Sequence, residues 1–174
     1  GAWYKNAVDF IAARGITAGI DENKFGPEEN ITRAQFVVLL MNAFQISAQN
    51  QEGYENFADA GNTYYTDYLQ AAKSMGIVNG VGNNMFAPEQ EITRQEMFVI
   101  LYNALKAADE LPSGVDGADL SAFSDAGQVA GWAQEAAAAL VKSGIVEGYN
   151  SSLNPTATTT RAEFAQVLYN LLTR

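Results

Sequence analysis

The segment Ile31-Thr32-Arg33-Ala34-Gln35-Phe36 has the pattern of a helix start. Thr32 and Gln35 are spaced as a capping box, in which the threonine hydroxyl accepts from the third helical amide and the glutamine side chain accepts from the threonine amide. Arg33 would then be the first helical residue, beside the positive end of the helix dipole. A cation there is unfavourable by about 0.3–1 kcal/mol, which raises the question of what the arginine binds.

The same pattern occurs three times in the chain. Residues 92–97 read ITRQEM and residues 159–164 read TTRAEF, each with a cap threonine, an arginine and a glutamate that closes the box. Other features precede the arginine in the same order in every copy. They are an aromatic residue (Trp3, Tyr64, Trp132), a Gly-Ile pair (Gly15, Gly76, Gly144), a second glycine (Gly19, Gly80, Gly148) and a Phe-x-Pro-like stretch (Phe25, Phe86, Leu153).

This repetition predicts an all-α protein built of three helix-loop-helix repeats. The repeats span residues 1–46, 57–106 and 123–174. The second and third open with Phe-x-Asp, at Phe57 to Asp59 and Phe123 to Asp125, whereas the first lacks that opening because the chain begins at Gly1. A single helix pair cannot bury its apolar face alone. We therefore expect the copies to pack through their second helices into one cooperative domain spanning residues 1–174.

Composition excludes several classes of function. The chain has 174 residues and a net charge of −10, which argues against nucleic acid or an anionic membrane as partner. It has neither cysteine nor histidine, so disulfides, thiolate or imidazole metal sites and Ser-His-Asp chemistry are excluded. No cofactor is predicted. Because Gly1 is not an initiator methionine, we expect a fragment or processed chain of a larger protein.

In these residues the sequence resembles the S-layer homology family, over nearly the whole chain and in three consecutive copies. The shared features are Phe-x-Asp, the aromatic helix start, Gly-Ile-x-x-Gly, Phe-x-Pro and the Ile-Thr-Arg-Ala-Glu-like helix start. The departures are modest, and none removes an arginine. They are Gln35 for glutamate, Gln95 for alanine, Leu153 for phenylalanine and Thr159 for isoleucine.

The resemblance implies a fold and a function. The fold is a three-pronged, pseudo-threefold domain around a central three-helix bundle. The function is non-covalent, non-enzymatic anchoring of a surface protein to bacterial secondary cell-wall polysaccharide, which places the protein outside the cell on the cell wall. The implied ligand is an anionic polysaccharide with a terminal pyruvylated N-acetylmannosamine, and the arginine of the repeated motif is associated with its binding. A monomeric domain of a larger surface protein is expected.

The resemblance agrees with the physical interpretation of the arginines. A helix N-terminus favours an anion, and a guanidinium can hold a carboxylate with two parallel hydrogen bonds. The alternative is that each arginine pairs with a protein carboxylate and only joins neighbouring copies, the candidates being Asp59, Asp125, Glu96 and Glu163. Both interpretations can hold together. We predict that Arg94→Ala changes stability little, within about 0.5–1 kcal/mol, and strongly weakens ligand binding in the groove that Arg94 lines. We expect Arg94 to share a groove between copies two and three with Asp125 and Trp132.

The candidate ligand-binding residues each have a structural alternative. The aromatics can stack on a sugar face or lie in the core. The aspartates can accept from sugar hydroxyls or cap the following helix. The second glycines can admit a ligand close to the backbone or provide a turn with positive φ. The full set is Arg33, Arg94, Arg161, Asp59, Asp125, Trp3, Tyr64, Trp132, Gly19, Gly80 and Gly148.

The sequence also bears on three other functions. Residues 21–32 begin like a calcium-binding loop, but Phe25 and Thr32 replace two oxygen ligands, one of them bidentate, so calcium binding is rejected. A glycoside hydrolase needs a particular pair of carboxylates, and no spacing selects one. A protein–protein assembly module of a surface layer stays open, and binding to purified polysaccharide without protein distinguishes it from an anchor.

Overall fold

Each copy folds as two helices separated by an irregular loop. The computed structural model describes residues 1–17, 19–20, 24–49 and 52–174. Within them lie α1 (Lys5–Ala13), α2 (Arg33–Ala43), α3 (Thr66–Ser74), α4 (Arg94–Ala107), α5 (Gln134–Lys142) and α6 (Arg161–Leu172). Two short 3-10 turns, Ala126–Gln128 and Gly131–Ala133, precede α5. The described residues contain isolated β-bridges and no strand, so the all-α prediction is confirmed.

The three second helices begin where the capping boxes predict. The hydroxyl of Thr32 accepts from the amide of Gln35 at 3.2 Å, and the Gln35 side chain accepts from the Thr32 amide at 3.0 Å. The same reciprocal pair forms at the starts of α4 and α6. The first helical residues are therefore Arg33, Arg94 and Arg161, as expected.

The first helices end at the glycine of the Gly-Ile pair. Gly15 follows the last residues of α1 with φ of +68°, and Gly76 and Gly144 take φ of +72° after α3 and α5. The amide of Ile16 bonds back to the carbonyl of Ile11 at 3.1 Å, which closes the helix end around the left-handed residue.

Helices pack between copies. Helix α3 lies on α2, α5 lies on α4, and α1 lies on α6, so each first helix covers the second helix of the copy before it. No comparable contact joins the two helices of any one copy in the part of the chain that the structure describes. The contacts that mark the three pairs are Tyr68 Oη to Asn42 Oδ1 at 3.1 Å, Tyr102 Oη to Glu135 Oε1 at 2.6 Å, and the rings of Phe10 and Tyr169 with centroids 5.2 Å apart.

The second helices meet at their N-terminal ends. The residues before the three cap threonines, Ile31, Ile92 and Thr159, form a closed ring of backbone hydrogen bonds that we call the cap ring. Ile31 donates to Thr159, Ile92 donates to Ile31, and Thr159 donates to Ile92, each at 3.0 Å. Beneath the ring the Phe36 and Phe164 rings contact at 5.0 Å. This cyclic order fits a pseudo-threefold arrangement with the second helices at its centre.

The apolar core runs through all three copies. Its largest fully buried side chains include Phe36 from α2, Phe98 from α4 and Phe164 from α6. Because every first helix is buried against a different copy, we propose that residues 1–174 unfold as one unit. None of the described helices is long and apolar enough to cross a membrane.

Candidate functional site

Arg33 reaches from copy one into copy two. Its Nε donates to the carbonyl of Phe86 at 2.8 Å, and its Nη1 lies 2.8 Å from Oε1 of Glu96. The guanidinium also lies over the Phe86 ring, 4.6 Å from its centroid. Glu96 has two functions here, because its Oε2 accepts from the amide of Thr93 and closes the capping box of α4. We call this set of contacts the Arg33 site.

Arg94 and Arg161 repeat the arrangement in cyclic order. Arg94 Nε donates to the carbonyl of Leu153 at 2.7 Å, and its Nη1 lies 3.2 Å from Oε1 of Glu163. These contacts define the Arg94 site. Arg161 closes the cycle by donating from Nε to the carbonyl of Phe25 in copy one, at 2.7 Å. Its Nη2 donates to the hydroxyl of Thr17 at 3.2 Å, which defines the Arg161 site.

All three guanidiniums are largely buried. Arg33 is 4% exposed, Arg161 is 6% exposed, and the Arg94 side chain is 12% exposed. Burial lowers the pKa of each arginine from its ordinary value. Glu96 opposes that shift at Arg33 and Glu163 opposes it at Arg94. An arginine nevertheless stays protonated in a protein, so each of the three guanidiniums carries a fixed positive charge.

Two of the arginines form the ion pairs that the structural alternative predicted. Arg33 pairs with Glu96 and Arg94 pairs with Glu163, in both cases between copies. A buried guanidinium that bonds to a neighbouring copy contributes to stability. The expectation that Arg94→Ala leaves stability nearly unchanged does not fit this geometry.

The Arg33 site opens into a cavity of about 490 Å³ to which all three copies contribute. Copy one provides Arg33, copy two provides Gly80, Val81 and one face of α4, and copy three provides Trp132. Trp132 was expected beside Arg94, and the structure places it in the cavity of Arg33. The cause is the cyclic packing, which brings α5 of copy three onto α4 of copy two. A cavity of this size is typical of small-ligand sites.

The three aromatic residues at the helix starts lie on the surface. Trp3 is 62% exposed, Tyr64 is 64% exposed and Trp132 is 60% exposed. The alternative that they belong to the core is therefore wrong. By the cyclic order of the copies, each arginine site has one of these aromatics as the equivalent of Trp132 at the Arg33 site. The equivalent is Trp3 for the Arg94 site and Tyr64 for the Arg161 site.

The two aspartates hold loop backbone. Asp59 accepts from the amides of Phe86 and Ala87, at 2.8 and 2.7 Å, and Asp125 accepts from the amides of Leu153 and Asn154. Neither side chain caps a helix. Burial alone would raise the pKa of Asp125, but the two amides and the nearby Arg94 charge outweigh it and lower that pKa. A direct bond from either carboxylate to a sugar would compete with these amides.

Local packing and backbone conformation explain why the second of the repeated positions is glycine in each copy. Gly80 has φ of +79°, and a Cβ there would lie 2.4 Å from the Met85 carbonyl oxygen. A Cβ on Gly148 would lie 2.3 Å from Cε1 of Phe123. Gly19 also has a positive φ, of +87°, whereas Gly148 does not, so the turn interpretation holds for two of the three positions. Gly80 additionally lines the cavity at Arg33.

Sequence reasoning missed two sets of groups at these sites. One is the loop carbonyls that accept from each arginine Nε, which no side-chain pattern reveals. The other is an asparagine nine residues after the arginine, whose recurrence was a usable signal. Asn103 lines the cavity at Arg33 and donates to the carbonyl of Ile77 at 3.3 Å, and Asn170 makes the same contact with Ile145 at 3.4 Å.

The acidic side chains form no metal site in the part of the chain that the structure describes. Three positions of the rejected calcium-loop segment, 21–23, lie outside the described residues. Among the residues that are described, no three acidic side chains cluster closely enough to hold a metal ion.

Comparison with known proteins identifies the family. The S-layer homology domain matches residues 1–37, 56–98 and 122–165, which correspond to the three copies. The chain belongs to the S-layer homology domain family, whose members are non-catalytic cell-wall-anchoring modules of surface proteins. The resemblance drawn from the repeated residues is therefore confirmed, as is the assignment to the cell surface.

Relatives include surface-layer proteins and enzymes. The chain is 33% identical over 168 residues to the surface-layer 125 kDa protein of Lysinibacillus sphaericus, covering 94% of this chain and 13% of that protein. It is 28% identical over 166 residues to the S-layer protein sap of Bacillus anthracis, covering 95% and 20%. An amylopullulanase of Thermoanaerobacterium thermosulfurigenes is 31% identical over 171 residues, covering 98% and 9%. The chain thus spans at most a fifth of the length of these relatives.

Proposed function

We propose that the arginine sites bind an anionic secondary cell-wall polysaccharide, with the carboxylate of a pyruvyl ketal on a terminal N-acetylmannosamine directed at the guanidinium. The bound polysaccharide would attach a larger surface protein to the cell wall through this domain. The domain would act as a monomer, since all three copies that build a site come from one chain.

The observation behind the proposal is that a buried guanidinium and an exposed aromatic ring line one cavity shared by three copies. Arg33 provides the charge and Trp132 provides an apolar face for a sugar ring. A guanidinium has five N–H donors, and the contacts to Phe86 and Glu96 engage two of them. The remaining donors suit a planar carboxylate, which arginine holds in a fork geometry.

The overall charge favours a focused site over diffuse attraction. With a net charge of −10 the surface repels an anionic polymer at long range. Binding then depends on the few sites that hold a buried arginine. This dependence gives selectivity for polysaccharides whose terminal sugar carries the pyruvyl carboxylate.

The test compares purified cell-wall polysaccharide before and after removal of its pyruvyl ketal. Calorimetry should show tight binding to the intact polymer and at least a tenfold loss after removal, because a buried arginine–carboxylate pair commonly contributes about 2 kcal/mol or more. Equal affinity for the two polymers would eliminate the carboxylate from the proposal. Binding in the absence of other proteins separates an anchor from a lateral assembly module, and an assay for released sugars checks for hydrolysis.

A further inference from the structure

The three arginine sites differ in the residue that faces the guanidinium. The glutamates of the capping boxes of α4 and α6, Glu96 and Glu163, each place one carboxylate oxygen on an arginine of the preceding copy. The corresponding residue at the Arg161 site is Gln35, which closes the capping box of α2 equally well. The change from glutamate to glutamine therefore keeps the helix start and removes the negative charge that the capping residue places beside the other two arginines.

A second residue beside Arg161, Thr17, also differs from its equivalents in the other two copies. Thr17, whose hydroxyl accepts from Arg161, corresponds to Val78 and Val146 in the other copies. Thr17 also accepts from the amide of Gly19, at 3.1 Å, so its oxygen is held in place. Arg161 is thus bonded to two neutral acceptors, the Phe25 carbonyl and the Thr17 hydroxyl.

The net charge of the sites follows from these neighbours. Arg33 is balanced by Glu96 and also feels the charge of Asp59, while Arg94 is balanced by Glu163 and feels Asp125. Among the residues that the structure describes, no carboxylate lies within ion-pair distance of Arg161, and the charge that acts on it most is that of the exposed Glu29. The position that would correspond to Asp59 precedes Gly1, so the comparison rests on Gln35 and Thr17.

We infer that the three sites are unequal and that the Arg161 site is the primary site for a carboxylate-bearing ligand. A carboxylate arriving at Arg33 or Arg94 must displace a glutamate or lie beside it, and like charges repel. At Arg161 the position of that glutamate is held by the neutral Gln35, and the N–H groups that contact described residues are oriented by two neutral acceptors, so an arriving carboxylate meets less repulsion from the capping position. This inference rests on the proposed function for the identity of the natural ligand, and not for the charge difference between the sites.

The decisive variant is Gln35→Glu, because Glu96 and Glu163 show that glutamate at this position caps the helix and reaches the arginine. Calorimetry with a pyruvylated N-acetylmannosamine monosaccharide should show the tightest site weakened about tenfold or more. The same variant should raise the melting temperature, since it places a carboxylate beside a buried cation whose partners among the described residues are neutral. Gln49→Glu adds the same charge at an exposed position and should change neither result.

The reciprocal variant is Glu96→Gln, which should strengthen binding at the Arg33 site. NMR of the arginine Nε–Hε groups assigns each effect to a site, and sodium pyruvate serves there as a simple carboxylate probe. In the unmodified protein Arg161 should respond at a lower pyruvate concentration than Arg33 or Arg94. Equal responses of the three arginines, or an unchanged response of Arg161 in Gln35→Glu, would overturn the inference.

The two proposals fail separately. If pyruvate selects Arg161 while neither the polysaccharide nor the pyruvylated sugar binds, the inequality of the sites stands and the proposed function is wrong. If the pyruvylated sugar binds and Gln35→Glu retains the tightest affinity within about twofold, the proposed function stands and the inequality is wrong.

Discussion

The cap ring and the arginine sites are built by the same three copies, yet they differ in how strictly the copies agree. At the cap ring all three backbone hydrogen bonds measure 3.0 Å, whether the residue is Ile31, Ile92 or Thr159. At the arginine sites the residue facing the guanidinium changes from glutamate to Gln35. Backbone hydrogen bonds do not depend on side-chain chemistry, so the cap ring tolerates substitution. The sites are defined by side chains, so a single substitution changes their charge.

Assembly of the copies and recognition of a ligand use some of the same residues but place different requirements on them. A capping box needs one acceptor atom at its third position, which either glutamate or glutamine supplies. An ion pair with the neighbouring arginine needs a second oxygen that is charged. The capping position can therefore vary in charge between copies while the helix start is conserved in geometry.

Arg33→Ala tests whether the arginine sites also hold the three copies together, and we expect it to have the largest effect on stability. The truncation leaves the Phe86 carbonyl and the Glu96 carboxylate without their partner at a buried contact between copies. We expect a loss of about 2–4 kcal/mol in the free energy of unfolding, measured by urea denaturation. Arg94→Ala should cost less, because its ion pair is longer and Glu163 is more exposed.

Arg14→Ala is the control for removing an arginine. Arg14 lies on the surface over the Phe10 ring, at 3.8 Å from its centroid, and its loss should cost under about 1 kcal/mol. If Arg33→Ala costs no more than this control, the arginines serve recognition alone and the cap ring suffices for assembly.

Gly148→Ala tests the loop of copy three at the position predicted to admit a ligand. The added Cβ would lie 2.3 Å from the Phe123 ring and 2.8 Å from the Ser152 carbonyl oxygen. We expect a loss of about 1–3 kcal/mol from overpacking, measured by thermal or urea unfolding. Gly127→Ala has open space around its Cβ and should stay within about 0.5 kcal/mol. Equal stability of the two variants would show that the loop can relax and leave a ligand role as the reason for glycine.

Thr159→Val addresses the one polar side chain of the cap ring. The Thr159 hydroxyl is fully buried and has no hydrogen-bond partner among the residues that the structure describes, and the other two copies have isoleucine here. Removing it should stabilise the protein by about 1–2 kcal/mol, because the desolvated hydroxyl gains nothing in return. Thr158→Val, at an exposed neighbour, should be nearly neutral. A lower melting temperature for Thr159→Val would mean that the hydroxyl does find a partner.

Local features of this fold could be predicted from the sequence, and contacts between copies could not. The capping boxes begin at Thr32, Thr93 and Thr160, and they depend on residues a few positions apart, as do the glycine helix ends. Such short-range features can be predicted from the sequence alone. The pairing of each first helix with the preceding copy cannot be predicted in this way. The apolar stripe of a first helix could pack equally well on the second helix of its own copy or of a neighbouring copy. For that reason the sequence predicts Trp132 beside Arg94, whereas the structure places it in the cavity of Arg33.

The candidate site shows the same division. The arginines were found because they repeat and because they oppose the helix dipole. Whether Trp3 and Tyr64 lie in the core or on the surface depends on how the copies are placed, and an aromatic side chain suits both environments. The use of Asp59 to hold the amides of Phe86 and Ala87 likewise requires knowledge of the loop, which short-range rules do not specify.

The smallest expected effect separates the loops of copies one and two at a position where both take the same backbone conformation. Gly26 in copy one and Ala87 in copy two precede the proline, with φ of +65° and +57°. A left-handed conformation is unfavourable for alanine by about 1–2 kcal/mol and is open to glycine, which in turn loses more entropy on folding. Ala87→Gly should therefore stabilise the protein by about 0.5–1 kcal/mol, and Gly26→Ala should destabilise it by about 1 kcal/mol.

Urea unfolding of these two reciprocal variants measures the difference between the loops directly, because the pair exchanges the residues of equivalent loops and leaves every arginine in place. In copy two the Asp59 carboxylate accepts from the amide of Ala87 and holds the strained residue in place, and glycine retains that amide. If Ala87→Gly instead destabilises the protein, the methyl group of Ala87 is a packing contact that outweighs its strained backbone. The two loops would then differ in packing as well as in sequence, and the inequality of the copies would extend beyond the charge of their arginine sites.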